Sequence, residues 1–108
     1  MNEIKVIELN PQDFLARYKK ELDQSILIDV REPYENDLFN LGGVNVPMGE
    51  LLPRLIEFNS FAHFFLYCAT GKRSYAIGYH IKKRMQEKVV YSLFGGVEAL
   101  QKSTHDSF

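Results

Sequence analysis

The chain has 108 residues and a net charge of −1, with 45% hydrophobic, 25% charged and 13% aromatic residues. That length fits one folded domain, residues 1–108, burying roughly two-thirds of the surface its unfolded chain exposes, and the composition excludes a disordered chain. No basic stripe argues for nucleic acid, no apolar run approaches the roughly 20 residues that span a bilayer, and one cysteine leaves no internal disulfide. The lone cysteine suits a reducing compartment, and the amino end lacks the apolar segment of a secretion signal, so a cytoplasmic setting is expected.

In chain order, Ile4 to Leu9 alternates apolar and polar residues as an edge strand does. Asn10 reads as an N-cap with Pro11 at the first helical position and Asp13 in the first turn; Phe14, Leu15, Tyr18 and Leu22 form the helix's apolar stripe. Gln24-Ser25 links to Ile26–Val30, a continuous apolar strand that ends in charge, and Arg31 to Glu35 follows as a strand-end loop. Residues 35 to 43 read as a polar turn closed by Gly42-Gly43, and Val44 to Pro47 as a short strand stopped by proline. Leu51, Leu52, Leu55, Ile56 and Phe58 predict a helix, with Pro53 tolerable only near its first turn. Phe64 to Tyr67 is a buried strand, and from Lys72 onward Ile77, Ile81 and Met85 share one helical face. Val89 to Leu93 is a fifth strand, followed by Gly95-Gly96, a short helix from Val97, and a polar, frayed tail from Ser103 to Phe108. Apolar strands interleaved with helices predict an α/β domain: a five-stranded, mainly parallel sheet with helices on both faces.

The chemistry gathers at Cys68, which stands where the central strand ends and just before a helix begins. Ligands of open α/β sheets bind at the carboxyl ends of strands. Free amides at a helix N-terminus, with the helix dipole behind them, favour an anion, and a thiolate is one. Gly71 lets the backbone turn inward, and Lys72 and Arg73 add two positive charges. Residues 68 to 73 therefore read as a cradle for an activated sulfur and an anionic substrate. Right-handed crossovers should bring Asp29 and Arg31 to the same rim.

Four segments then carry a resemblance. Ile28-Asp29-Val30-Arg31-Glu32-Pro33-Tyr34-Glu35 resembles the Asp-Val-Arg signature of the rhodanese homology domain, and Asn40 to Pro47 is similar to that family's second signature. Cys68 to Ser74 resembles its active-site loop, and Phe94-Gly95-Gly96-Val97-Glu98-Ala99 its Gly-Gly turn. The resemblance implies a rhodanese-like fold and sulfur transfer through a cysteine persulfide, with no cofactor and no metal. By position, Cys68 would accept the sulfur; the amides of Ala69, Thr70, Gly71, Lys72 and Arg73, with the Arg73 side chain, would hold the persulfide and a small anionic donor. Ser74 would brace the loop, Arg31 would serve substrate binding from the neighbouring rim, and Asp29 and Glu35 would shape that rim, with Arg31 paired to Glu35.

Some positions depart from the family pattern. Asn40 stands where many members have histidine, the segment to Pro47 is one residue short, and Leu100 stands where tryptophan is frequent. Such variants resemble rhodanese domains fused to ubiquitin-activating-like adenylyltransferases of thiamine and molybdopterin synthesis, which implies a small carrier protein as acceptor. Three functions compete: a sulfurtransferase drawing on thiosulfate or a protein persulfide, a non-catalytic binding module, and a phosphatase. Phosphatase loops of related folds resemble Cys, five residues, Arg, whereas four residues separate Cys68 from Arg73. His63, His80 and His105 lack the spacing of a zinc site, and Lys82-Lys83-Arg84 reads as a solvated helix face.

Overall fold

The computed structural model describes the backbone of residues 3–106 and the side chains of residues 3–102. Its strands are β1 (Ile7–Leu9), β2 (Ser25–Asp29), β3 (Val44–Asn45), β4 (His63–Tyr67) and β5 (Val89–Leu93). They form one sheet in the order β1-β5-β4-β2-β3, and every neighbouring pair is parallel. Helices α1 (Pro11–Lys20), α2 (Pro33–Leu38), α3 (Met48–Leu51), α4 (Lys72–Arg84) and α5 (Gly96–Asp106) connect and flank them. None of these helices is long and apolar enough to cross a membrane.

The period-two alternation of β4 divides the interior into two layers. Phe64, Leu66 and Cys68 join Ile77 and Ile81 of α4, together with Leu51, Leu55 and Phe58. Phe65 and Tyr67 face the other way, onto Phe14 of α1, Tyr91, Leu93 and Val97 of α5. There the Phe65 ring stacks on Tyr91 at 4.2 Å between centroids and meets Phe14 edge-on at 5.4 Å. Because β4 lies mid-sheet, its carboxyl end opens between layers that are closed on both sides.

Local signals explain the elements, including those the sequence reading placed differently. Asn10 Oδ1 accepts the Asp13 N–H at 2.8 Å, which starts α1 as expected. Residues 33 to 38 are helical, where the sequence suggested the end of a strand-end loop and the start of a polar turn. Pro33 is preset for a first helical position, and Glu35 Oε1 accepts the Glu32 N–H at 3.1 Å, which closes the helix start. The predicted helix around Leu51–Phe58 divides into the single turn of α3 and a 3-10 stretch, Leu52–Phe58. Pro53 has no N–H to continue the α-helical ladder, so the chain tightens there. β1 starts at Ile7, not Ile4, since its one neighbour pairs with it only over Tyr91–Leu93. α5 extends through Asp106, further than a helix frayed from Ser103 would; residues 107 and 108 lie outside the described residues.

Tyr67, the last residue of β4, fastens the chain that leads into β3. Its hydroxyl accepts the Leu41 N–H at 3.0 Å and donates to the Gly42 carbonyl at 2.9 Å. Burial is the main cause that pushes this phenol up to about 12, so it keeps the proton it donates. Tyr67→Phe is expected to leave both backbone groups unpaired and to cost about 1–3 kcal/mol. Urea denaturation followed by circular dichroism measures this, and an unchanged midpoint would show that the hydroxyl does not hold the 41–42 segment.

Candidate active site

Cys68 follows β4 directly, and continued alternation turns its side chain toward α4, where it is 0% exposed. Gly71, the residue before α4, has φ +94°, a left-handed conformation open to glycine at little cost. That turn brings the Gly71 N–H to 3.1 Å from Cys68 Sγ and the Ser74 N–H to 3.3 Å. Ser74 Oγ lies 3.5 Å from the same sulfur. The sulfur is thus covered, yet backbone donors at the start of α4 aim at it.

The other side of the loop is fixed by α5. Val97 N–H donates to the Cys68 carbonyl at 2.9 Å and Glu98 N–H to the Ala69 carbonyl at 3.0 Å. In a planar trans peptide the N–H opposes the carbonyl, so the Ala69 and Thr70 N–H groups point away from α5. Gly96 permits this approach: a Cβ there would stand 2.2 Å from the Ala69 carbonyl oxygen. Ala69 is half-buried, while Thr70 and Lys72 are exposed at the mouth.

Arg73 crosses from α4 to α2. Its Nη1 and Nη2 donate to the two Glu35 carboxylate oxygens at 2.9 and 2.8 Å. Those hydrogen bonds are the largest cause holding Glu35 down to about 2, and the same pair raises Arg73 above its ordinary value. The positive charge of Arg73 is also close enough to interact with Cys68.

Arg31 was expected to pair with Glu35; it pairs with Asp29 instead. Arg31 Nε and Nη2 donate to Asp29 Oδ1 and Oδ2 at 2.9 and 2.8 Å, and Nη2 also donates to the Phe39 carbonyl. The reason is burial. Asp29 is fully enclosed, and residues two apart at a strand end share a face, so Arg31 is the cation that can neutralise it. Asn36 Nδ2 donates to Asp29 Oδ2 at 2.9 Å as well, which leaves Glu35 free to reach Arg73. Arg31 keeps one contact with the mouth: it lines a shallow cleft of about 280 Å³ with Glu35, Phe39, Ala69, Val97 and Glu98.

Asp29, Arg31, Glu35 and Cys68 to Ser74 all lie on this rim or loop, but Asp29 and Arg31 support it from below rather than facing the sulfur. Sequence reasoning missed Ser92, whose Oγ is 2.7 Å from Ser74 Oγ, and Asn45, whose Nδ2 donates to the Asp29 and Arg31 carbonyls at 3.0 and 2.9 Å. A lone polar residue inside the apolar run Val89–Leu93 was the available signal for Ser92. Among the described residues, no group of three or more His, Cys, Asp or Glu side chains is placed to hold a metal ion.

Comparison with known proteins adds four findings. The family model of the rhodanese-like domain matches residues 10–103. The chain is 31% identical over 84 residues, 74% of its length, to the candidate sulfur carrier protein YrkF of Bacillus subtilis (strain 168), and spans only 45% of that relative. Among solved structures, thiosulfate sulfurtransferase from Pseudomonas aeruginosa matches with TM-score 0.78 and 18% identity, over 92% of this chain and 19% of that one. A protein of unknown function from Rhodopseudomonas palustris CGA009, named as a candidate tyrosine phosphatase, matches with TM-score 0.74 and 24% identity, over 92% and 82% of the two chains. At those identities the two structures speak to the fold alone.

The Glu35–Arg73 pair gives a pH dependence of known sign. The Glu35 carboxyl is depressed from 4.5 to about 2, so its stabilisation is complete above pH 4.5 and is lost as pH falls toward 2. The pair is open to solvent on the Arg73 side, which is 37% exposed, so screening leaves about 1–2 kcal/mol. Glu35→Gln is expected to lower the melting temperature near neutral pH, with the gap to wild type closing between pH 4.5 and 2. A gap independent of pH would show that the ion pair is not its source.

Proposed function

This chain belongs to the rhodanese-like domain family, a sulfurtransferase family, and on that premise we propose that Cys68 carries a sulfane sulfur as a persulfide. The single observation that carries the reading is the set of N–H groups of Gly71 and Ser74 aimed at Cys68 Sγ from the start of α4. In the first step the Cys68 thiolate attacks the sulfane sulfur of thiosulfate. The new bond joins Sγ to that sulfur; the sulfur–sulfur bond of thiosulfate breaks, and its electron pair leaves with sulfite. In the second step a thiophilic acceptor such as cyanide or a protein thiolate attacks the outer sulfur, and the electron pair of the broken bond returns to Sγ. Two easier displacements replace one hard transfer.

The loop residues divide the remaining work. The added sulfur would lie about 2.0 Å beyond Sγ, toward the mouth, so a buried Sγ can still hand on its cargo. The Ala69, Thr70, Lys72 and Arg73 amides, which have no carbonyl partner one turn back within α4, are the donors available to the outer sulfur and to the donor's oxyanion. Lys72 supplies exposed positive charge. Arg73 acts through its field and by tying the loop to α2, because Glu35 occupies both of its terminal nitrogens. Arg31, whose charge is matched by Asp29, lines the cleft and steadies the rim.

A protein persulfide as donor and a small carrier protein as acceptor fit an open cleft rather than an enclosed pocket, and a cytoplasmic setting fits a free cysteine. The binding-module reading predicts an inert Cys68. The phosphatase reading needs an arginine turned into the cradle, whereas Arg73 is turned to Glu35.

Thiosulfate treatment of the wild type is expected to add the mass of one sulfur atom to the intact protein, and thiosulfate:cyanide turnover should fall to background in Cys68→Ser with the melting temperature little changed. Mass spectrometry and thiocyanate detection measure these. Wild-type turnover in Cys68→Ser would end the assignment, an unmodified wild type would favour the binding module, and aryl phosphate hydrolysis dependent on Cys68 would favour the phosphatase.

A further inference from the structure

Behind the sulfur lies a hydroxyl that neither the loop motif nor the transfer chemistry uses. Ser92 is on β5, its backbone in register with Leu66 on β4. Like Ser74 it is fully buried, and the two hydroxyl oxygens are 2.7 Å apart. Ser74 Oγ has three neighbours for its single hydrogen: Ser92 Oγ, the Gly71 carbonyl at 3.3 Å and Cys68 Sγ at 3.5 Å. Ser92 Oγ has one: the only hydrogen-bond partner of this hydroxyl among the described residues is Ser74 Oγ.

That asymmetry decides the direction of the bond. Were Ser74 to donate to Ser92, the Ser92 hydrogen would have no acceptor, and an unpaired buried donor is costly. Ser92 therefore donates and Ser74 accepts, which leaves the Ser74 hydrogen for the Gly71 carbonyl or the sulfur. When Cys68 is a thiol, its S–H can donate to Ser74 Oγ while Ser74 donates to Gly71. When Cys68 is a thiolate, the Ser74 hydrogen turns to the negative sulfur as a third donor beside the two amides. A hydroxyl that is itself accepting is a stronger donor, so the Ser92 bond strengthens this one.

We infer that Ser92 is a positioning residue that acts through Ser74 to aim a hydroxyl donor at the Cys68 thiolate. The inference rests on the reading of Cys68 as a working thiolate, and its test does not need sulfur transfer. The rate of Cys68 alkylation by iodoacetamide is followed against pH in the wild type, S92A, S74A and the double variant, each with its melting temperature. S92A and S74A are expected to displace the profile to higher pH and to slow alkylation about three- to tenfold at neutral pH. The double variant should be no slower than S74A alone. S92T keeps the hydroxyl and should retain the wild-type profile even if its added methyl lowers the melting temperature. An S92A profile that overlays the wild type, a full further loss in the double variant, or an S92T profile displaced as far as that of S92A would overturn the inference. A displaced S92A profile in a protein that takes no sulfur from thiosulfate would sink the transfer reading and leave the hydroxyl pair standing.

Discussion

The structure depends on two backbone hydrogen bonds, from the Val97 and Glu98 amides to the Cys68 and Ala69 carbonyls. Any loop leaving a strand must dispose of its carbonyls, and these go to the first turn of α5. With the carbonyls held on that side, the paired N–H groups face the other way, and the loop becomes a concave set of donors. The cost is a close approach that only a glycine allows at position 96, where φ is +66° and a side chain would overlap the loop. A region 28 residues further along the chain thus decides which way the Cys68 loop presents its dipoles.

Charge is handled in two tiers. The lower tier, Asp29 with Arg31, is buried, hydrogen-bonded on several sides and closed to solvent. Such a pair adds little net stability over an apolar one, but loss of either partner would strand a charge, so it fixes the strand-end geometry. The upper tier, Glu35 with Arg73, is partly wet and joins α2 to α4 across the mouth. Its position lets Arg73 keep a full positive charge near the sulfur without swinging freely into the cleft. One helix, α2, serves both tiers through Asn36 and Glu35, one residue apart.

Polar groups beneath the sulfur follow the same economy of partners. Ser74 touches the sulfur, the Gly71 carbonyl and Ser92, so the first turn of α4 and the carboxyl end of β5 share one hydroxyl network. Buried hydroxyls with few partners have few allowed orientations, and orientation matters where charge develops.

Much of this was legible in the chain itself. Largely apolar runs such as Ile26–Val30 and Val89–Leu93, spaced by helical stripes, determined a parallel sheet covered on both faces, because a strand buried on both sides favours near-continuous apolar sequence over alternation. The single cysteine between a strand and a helix, with Gly71 and two cations beyond it, located the site. Pro33 and Glu35 also encoded the start of α2, though a polar composition disguised it as a turn. What only the folded structure decided was pairing: Arg31 to Asp29 and not Glu35, Arg73 to Glu35, Ser74 to Ser92, and the loop carbonyls to α5. The physical reason is that periodicity along a chain fixes which side of an element is apolar, whereas the partner of a polar group depends on burial and on which distant segment arrives within hydrogen-bond reach.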